Sequence, residues 1–276
     1  MIPDNLFIGT CMFVLGSCVG SFLNVCIVRL PHEKSVVWPG SHCVQCQKPI
    51  AWYDNVPLLS YCWLMAKCRH CSKPISLRYF IVELITAVTF VLFYLYFGLN
   101  VILIPYLVMV SGFIVATFVD LEHRIIPDEV SVGGMCCGLI LSLLIPSLHH
   151  VVPHEGKVVL VHLQSLGLSV LGVLIGGGAI YLMGMLGDFL FKKESMGAGD
   201  IKLLAMIGAF LGWKLALLTF FIAPFFGAIF GIIEKIRTKD SIIAYGPFLV
   251  IGAIVSLFWG EQILNWLFVL NGYSPS

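Results

Sequence analysis

The stretch GAGDIKLLAMIGAFLGWKLALLTFFIAPFFGAIFGII, residues 197–233, decides the fold. Its only charges are Asp200, Lys202 and Lys214, and it reads as two apolar segments, 201–212 and 215–233. A hydrocarbon core of about 30 Å needs roughly 20 residues of helix, so the second segment is near that length and the first is short. Outward from this stretch, apolar segments recur at 5–28, 79–98, 101–119, 130–148, 160–187 and 244–268. Of 276 residues, 59% are hydrophobic and 11% charged, where a soluble domain has roughly 25% charged. The expected fold class is an all-α polytopic membrane protein of about eight transmembrane helices. The first segment is expected to stay rather than be cleaved, because it lacks a basic lead and its polar Ser21 and Asn24 run on into the following loop.

Eight spans can be tested on charge, because Lys and Arg gather in the cytoplasmic loops. All of the 16 Lys and Arg except Lys157 and Lys214 fall in loops of one parity. The basic loops, including the long connection 29–78, are therefore expected in the cytoplasm and both termini outside. The formal charge of +1 hides this asymmetry. A basic cytoplasmic face suits anionic membrane lipid and implies no nucleic acid. The external segment HHVVPHEGKVV, 149–159, reads as a solvated loop.

Connection 29–78 holds CVQC at 43–46 and CRHC at 68–71. Paired CxxC turns bring four thiolates, Cys43, Cys46, Cys68 and Cys71, onto one tetrahedral zinc ion with no open position, which makes a structural site. A reducing cytoplasm disfavours the alternative of disulfides. Lys48, Lys67, Arg69 and Lys73 stand close by in sequence and favour thiolates. The loop, with WYDNVPLLSY between its knuckles, has too little apolar mass for a core, so metal binding is expected to fold it. The other six cysteines lie in or beside apolar segments and read as small buried hydrophobes.

Two acids stand at span ends on the basic side: Asp120 in VDLEHRIIPDEVS, 119–131, and Asp200 after Gly-Ala-Gly. Asp200 reads locally as the N-cap of the helix that follows, and the glycines as room for another segment or a substrate. Asp128, past Pro127, competes with Asp120 but more naturally caps the fourth span. Two carboxylates sharing a low-dielectric site suit general acid and base work, with one protonated and one activating water.

At this point the chain resembles the type IV prepilin peptidases, GxGD aspartyl proteases with a second N-methyltransferase activity. Five ordered blocks carry the resemblance: GSCVGSFLNVCIVRLP at 16–31, the paired CxxC loop with NVPLLSY, ISLRYFIVEL at 75–84, VDLEHRIIPDEVS at 119–131 and GAGDIKLLAMIGAFLGW at 197–213. The loop departs from the family wording in CVQC without proline, LMAKC before the third cysteine and RYFIVE without proline. The resemblance implies catalytic Asp120 and Asp200 and zinc on the four cysteines. It also implies S-adenosylmethionine as methyl donor, and as substrate a prepilin or pseudopilin with a short basic leader, cut after glycine at the cytoplasmic edge of the inner membrane. The new N-terminal residue, usually Phe, is then methylated.

No glycine-rich dinucleotide fingerprint is present, so the methyl donor's site would come from spans and loop. Asn24, Arg29 and Glu83, polar groups entering the membrane, are the candidates for it, with structural pairing of Arg29 and Glu83 the other reading. The domain organisation expected is a first span at 1–28, a methyltransferase-associated zinc loop at 29–78 and a peptidase core at 79–276. A peptidase without methylation, and a transporter using the same acids, are the alternative functions. A transporter predicts broken helices near the midplane and an internal repeat, which the sequence does not show. Neither the oligomeric state nor the choice between a pilus and a type II secretion system is legible.

Overall fold

The computed structural model describes residues 4–151, 158–192, 196–238 and 244–270. Lys157, Lys193 and Lys239 of the charge count, and most of the external loop after Val151, lie outside them. The described residues are helical with no named strand: α1 (Asp4–Arg29), α2 (Leu59–Trp63), α3 (Leu77–Phe97), α4 (Leu103–His123), α5 (Asp128–Leu144), α6 (Val158–Phe191), α7 (Ala198–Thr238) and α8 (Gly246–Leu270). Among them, 6 helices are long and apolar enough to cross a membrane, where the sequence suggested eight spans. The difference has two causes. The fourth expected span, 130–148, ends as α5 at Leu144 and gives way to a short 3-10 turn over Pro146–His149. The sixth and seventh spans are two arms of α7, 198–211 and 213–238, joined at Gly212.

Gly212 has φ 76° and ψ 172°, a backbone shape that side-chain-bearing residues avoid. The chain reverses there. Gly176 of α6 faces Leu204 of the first arm and Ala216 of the second, so both arms run beside one stretch of α6 in opposite directions.

The chain divides into two units, Met1–Phe118 and Val119–Ser276. In the first, α1 and α3 are antiparallel. Tyr94 donates to Asn5, and a Cβ on Gly16 or Gly20 would lie 2.7 Å from Ala87 Cα or 2.8 Å from Glu83 Cα. A glycine every fourth residue lets backbones meet, the usual basis of close helix pairs in lipid.

In the second unit, α6 crosses the first arm of α7 so tightly that a Cβ on Gly172 would collide with the Gly208 carbonyl oxygen. Helix α5 runs parallel to that first arm, with Gly134 against Met206 and Gly138 against Ala209. Helix α8 runs antiparallel to the second arm, with Gly252 against Thr219 and Gly260 against Leu215. One end of this bundle therefore gathers residues 119–128, 197–202 and 244–246. The other gathers the Pro146–His149 turn, Gly212 and Glu261.

His149 closes that other end. Its ring hydrogen-bonds to the Ala209 backbone, whose carbonyl also accepts from Ser169 Oγ at 2.7 Å. Burial, reinforced by the neighbouring His150 charge, takes the imidazole from the usual 6.5 down to about 4, so it is neutral in the fold. Its contribution is whole above pH 6.5 and is lost as pH falls from 6.5 towards 4, because the unfolded chain binds the proton first. Thermal unfolding in detergent is expected to show the wild-type advantage over His149→Gln shrinking across that window. An advantage constant with pH would contradict the buried neutral imidazole.

Candidate functional site

In the first unit, two stretches of the loop adopt one conformation. The Cys43 N–H donates to Lys48 O, the Gln47 N–H to Cys43 O and the Ile50 N–H to Ser41 O; Cys68, Ser72 and Ile75 repeat the set with Lys73, Cys68 and Ala66. Gln47 and Ser72 both take positive φ, 59° and 55°, one residue past the second cysteine. The sequence signal is a repeat, CVQCQKPI at 43–50 and CRHCSKPI at 68–75, which the cysteine spacing alone did not bring out. In the second knuckle the Cys71 and His70 N–H groups point at the Cys68 sulfur and the Lys73 N–H at that of Cys71.

The four Sγ atoms lie within 4.8 Å of one another, and Cys43 Sγ is 3.9 Å from Cys71 Sγ. A tetrahedral ion with bonds near 2.3 Å needs edges of about 3.8 Å, so the four thiols fit one metal ion. All ten cysteines are free of disulfides. The Cys71 and His70 backbone N–H groups hold Cys68 down at about 6. Cys71 is pushed up to about 11: the Lys73 N–H would lower it, but burial and the three neighbouring thiols outweigh that donor. Four clustered thiols cannot all ionise by themselves, and a dication that replaces their protons removes the conflict.

Polar links tie the knuckles to the rest of the loop. Arg69 forms a bidentate pair with Asp54 at 2.6 Å on both oxygens, and Lys73 Nζ donates to Gln45 Oε1 at 3.2 Å. The Arg69 guanidinium holds the Asp54 carboxyl below the usual carboxylate range.

Below the knuckles is a cavity of about 840 Å³, lined by Asn24, Arg29, Asp54, Tyr79 and Glu83 among others. The expected alternative of an Arg29–Glu83 pair is not what forms. Arg29 donates to the carbonyls of Ser35 and Gly40 at 3.0 and 3.2 Å, while Glu83 Oε2 accepts from the Leu58 N–H at 2.7 Å. Each side chain satisfies loop backbone instead, because both sit where the loop leaves the helices. Asn24 is 1% exposed; its Nδ2 donates to Tyr79 O at 3.0 Å, and its Oδ1 has no partner among the described residues.

In the second unit, one end of the bundle brings Asp120 and Asp200 together, close enough for the Asp120 charge to act on Asp200. Asp120 is 6% exposed, and its Oδ2 accepts from the Gly246 N–H at 2.8 Å. Asp200 is half-buried and lies in the first turn of α7 rather than at the N-cap expected from the sequence. Gly197 stands before that turn, and its N–H donates to the Asp200 carboxylate. Both acids thus rest on free amides at helix starts, where a negative charge is favoured.

Asp128 also differs from expectation. Pro127 is the N-cap of α5, and Asp128 in the first turn pairs with Lys202 Nζ at 2.6 Å. Gly199 is filled by protein rather than left as room for a substrate, since a Cβ there would lie 3.1 Å from Ile126 Cβ.

Tyr245 and Gly246 join this site without having been singled out from the sequence. The Tyr245 phenol is buried with no partner among the described residues. Burial, and after it the Asp200 charge, push it up to about 12.

Comparison with known proteins gives two adjacent family matches: Bacterial Peptidase A24 N-terminal domain over residues 14–97, and Type IV leader peptidase family over residues 107–232. The chain is similar to the prepilin leader peptidase/N-methyltransferase of Myxococcus xanthus, 39% identical over 227 residues, covering 82% of this chain and 63% of that protein. It is 31% identical to the same-named protein of Aeromonas hydrophila over 282 residues, covering 92% of each. With that of Pseudomonas aeruginosa it is 31% identical over 289 residues, 95% of this chain and 94% of the other. The chain therefore spans just under two thirds of the Myxococcus relative and nearly all of the other two. No solved structure matches the chain significantly.

Serine at Cys43, Cys46, Cys68 or Cys71 is expected to abolish metal binding by the cluster, and acidification to weaken it in the wild type as protons compete for sulfur. Elemental analysis of the purified chain reads this. Full metal content in Cys71→Ser would contradict a four-thiolate site.

Proposed function

Because the chain belongs to the type IV leader peptidase family, we propose that it cleaves the leader peptide of type IV prepilins or pseudopilins and N-methylates the new terminus. The single observation that carries the peptidase reading is the meeting of Asp120 and Asp200 at one end of the second unit, each on a backbone amide. One carboxylate, ionised, takes a proton from water as the water oxygen bonds to the scissile carbonyl carbon. The other, protonated, donates a hydrogen bond to the carbonyl oxygen. When the C–N bond breaks, the first acid returns its proton to the leaving nitrogen. Water's hydroxyl ends on the carbon and its proton on the nitrogen, so each acid ends as it began, and no covalent intermediate is needed.

The excess of Lys and Arg in the loops of this side supports a cytoplasmic site, with the chain in the inner membrane. There a substrate's apolar helix would lie among the lipids and present its leader at the membrane edge. The exposed Glu122 beside Asp120 suits a basic leader.

The methyltransferase activity is assigned to the first unit. S-adenosylmethionine would supply the methyl group as a sulfonium, and the cavity volume lies within the roughly 300–1,000 Å³ of small-molecule sites. Within that cavity Asn24 has a buried acceptor oxygen with no partner among the described residues, while Arg29 and Glu83 hold the walls through loop carbonyls and an amide. Zinc is the metal that best suits four thiolates with no open position. Its role is to fold the loop that roofs the cavity.

Asp120→Asn and Asp200→Asn are each expected to lower kcat for leader cleavage by roughly 10⁴-fold while the chain stays folded. An Asn keeps an acceptor for the Gly246 or Gly197 amide, so normal cleavage by either variant would reduce that acid to a helix cap. Asn24→Ala is expected to weaken S-adenosylmethionine binding roughly tenfold, about 1.4 kcal/mol, measured by equilibrium dialysis. Unchanged binding would remove the cavity from the methyl-transfer reading.

A further inference from the structure

The third segment at the acidic end, residues 244–246, bounds the Asp120 carboxylate. Gly246 is the first residue of α8, where backbone N–H groups have no partner within the helix. Its N–H reaches Asp120 Oδ2 at 2.8 Å across 126 residues of chain. A Cβ built on Gly246 would lie 2.8 Å from that same Oδ2, 3.3 Å from Asp120 Cγ and 3.3 Å from Ile126 Cδ1. The carboxylate therefore occupies the space of the missing side chain while taking the amide proton.

Ile126 works on both sides of this contact. Its Cδ1 bounds the Gly246 space, and its Cβ and Cγ1 fill the space beside Gly199, one residue before Asp200. It is 8% exposed, so neither contact is with solvent.

We propose that Gly246 is a positioning residue for leader cleavage: its amide aims the Asp120 carboxylate, its missing side chain admits that carboxylate, and Ile126 sets the spacing to the Asp200 segment. The proposal rests on the reading of Asp120 and Asp200 as the acid pair. Holding Oδ2 fixes the carboxylate plane and leaves Oδ1 for the attacking water. A methyl group on residue 246 would push the carboxylate off this amide, and a displacement of about 1 Å in a reacting group costs roughly 10²-fold in rate.

The test uses the full chain in detergent, with kcat, KM and melting temperature measured on a prepilin substrate for Gly246→Ala, Ile126→Val, the double variant and Asp200→Asn. Gly246→Ala is expected to lose roughly 100-fold in kcat at unchanged KM. Ile126→Val removes the methyl that a new Cβ would strike but leaves Asp120 in the way, so the double variant is expected to regain melting temperature without regaining kcat. Recovery of kcat in the double variant would reduce Gly246 to a packing residue. Wild-type kcat in Gly246→Ala, or failure of both Gly246 variants to fold, would equally overturn the proposal. Asp200→Asn separates the two levels: silent beside an active Gly246→Ala it condemns only the positioning role, whereas normal cleavage condemns the acid pair itself.

Discussion

The hydrogen bond from the Gly246 N–H to Asp120 Oδ2 is the contact on which the second unit's acidic end depends. It fixes the start of α8 to the end of α4 and buries a carboxylate that would otherwise be costly away from water. Helix α8 packs along the second arm of α7, and the first arm of α7 opens with Asp200. The two acids can meet only because the arms fold back on each other at Gly212. In an apolar environment each backbone amide must find a partner. At this end, two of those partners are the carboxylates.

Close glycine contacts make that packing possible. Gly172 against Gly208 brings α6 and α7 to backbone contact, and Gly176 then touches both arms. A larger side chain at Gly172 would have to displace backbone rather than a mobile side chain. The first unit solves its packing differently. Its loop has hardly any buried apolar side chain, so the repeated knuckles, the Arg69–Asp54 pair and the anchors from Glu83 and Arg29 hold what a core does not.

Much of this was legible in the sequence because it is local or periodic. The apolar segments gave the helices, the distribution of Lys and Arg put Asp120 and Asp200 on one face, and the CxxC spacing gave the thiol cluster. The pairing of α7's arms was readable as two short segments, although only the left-handed Gly212 explains why one helix carries both. What stayed hidden is long-range. Asp120 and Gly246 are 126 residues apart, and nothing local marks an amide at the start of α8 as a carboxylate's partner. Arg29 and Glu83 looked like a pair because opposite charges attract, but each found nearer loop backbone. Asp200 looked like a cap, yet Gly197 takes that position and leaves the acid facing the site. The repeated CxxCxKPI was present in the sequence all along and explains why both knuckles share one shape.

The central claim is that Asp120 and Asp200 act as one unit. The most direct measurement is the residual kcat for leader cleavage of Asp120→Asn, Asp200→Asn and the double variant, in one assay with folding verified. Two acids that perform a single step are non-additive, so the double variant is predicted to be no slower than the slower single variant. Losses that multiply would contradict it, and would mean that the carboxylates contribute independently.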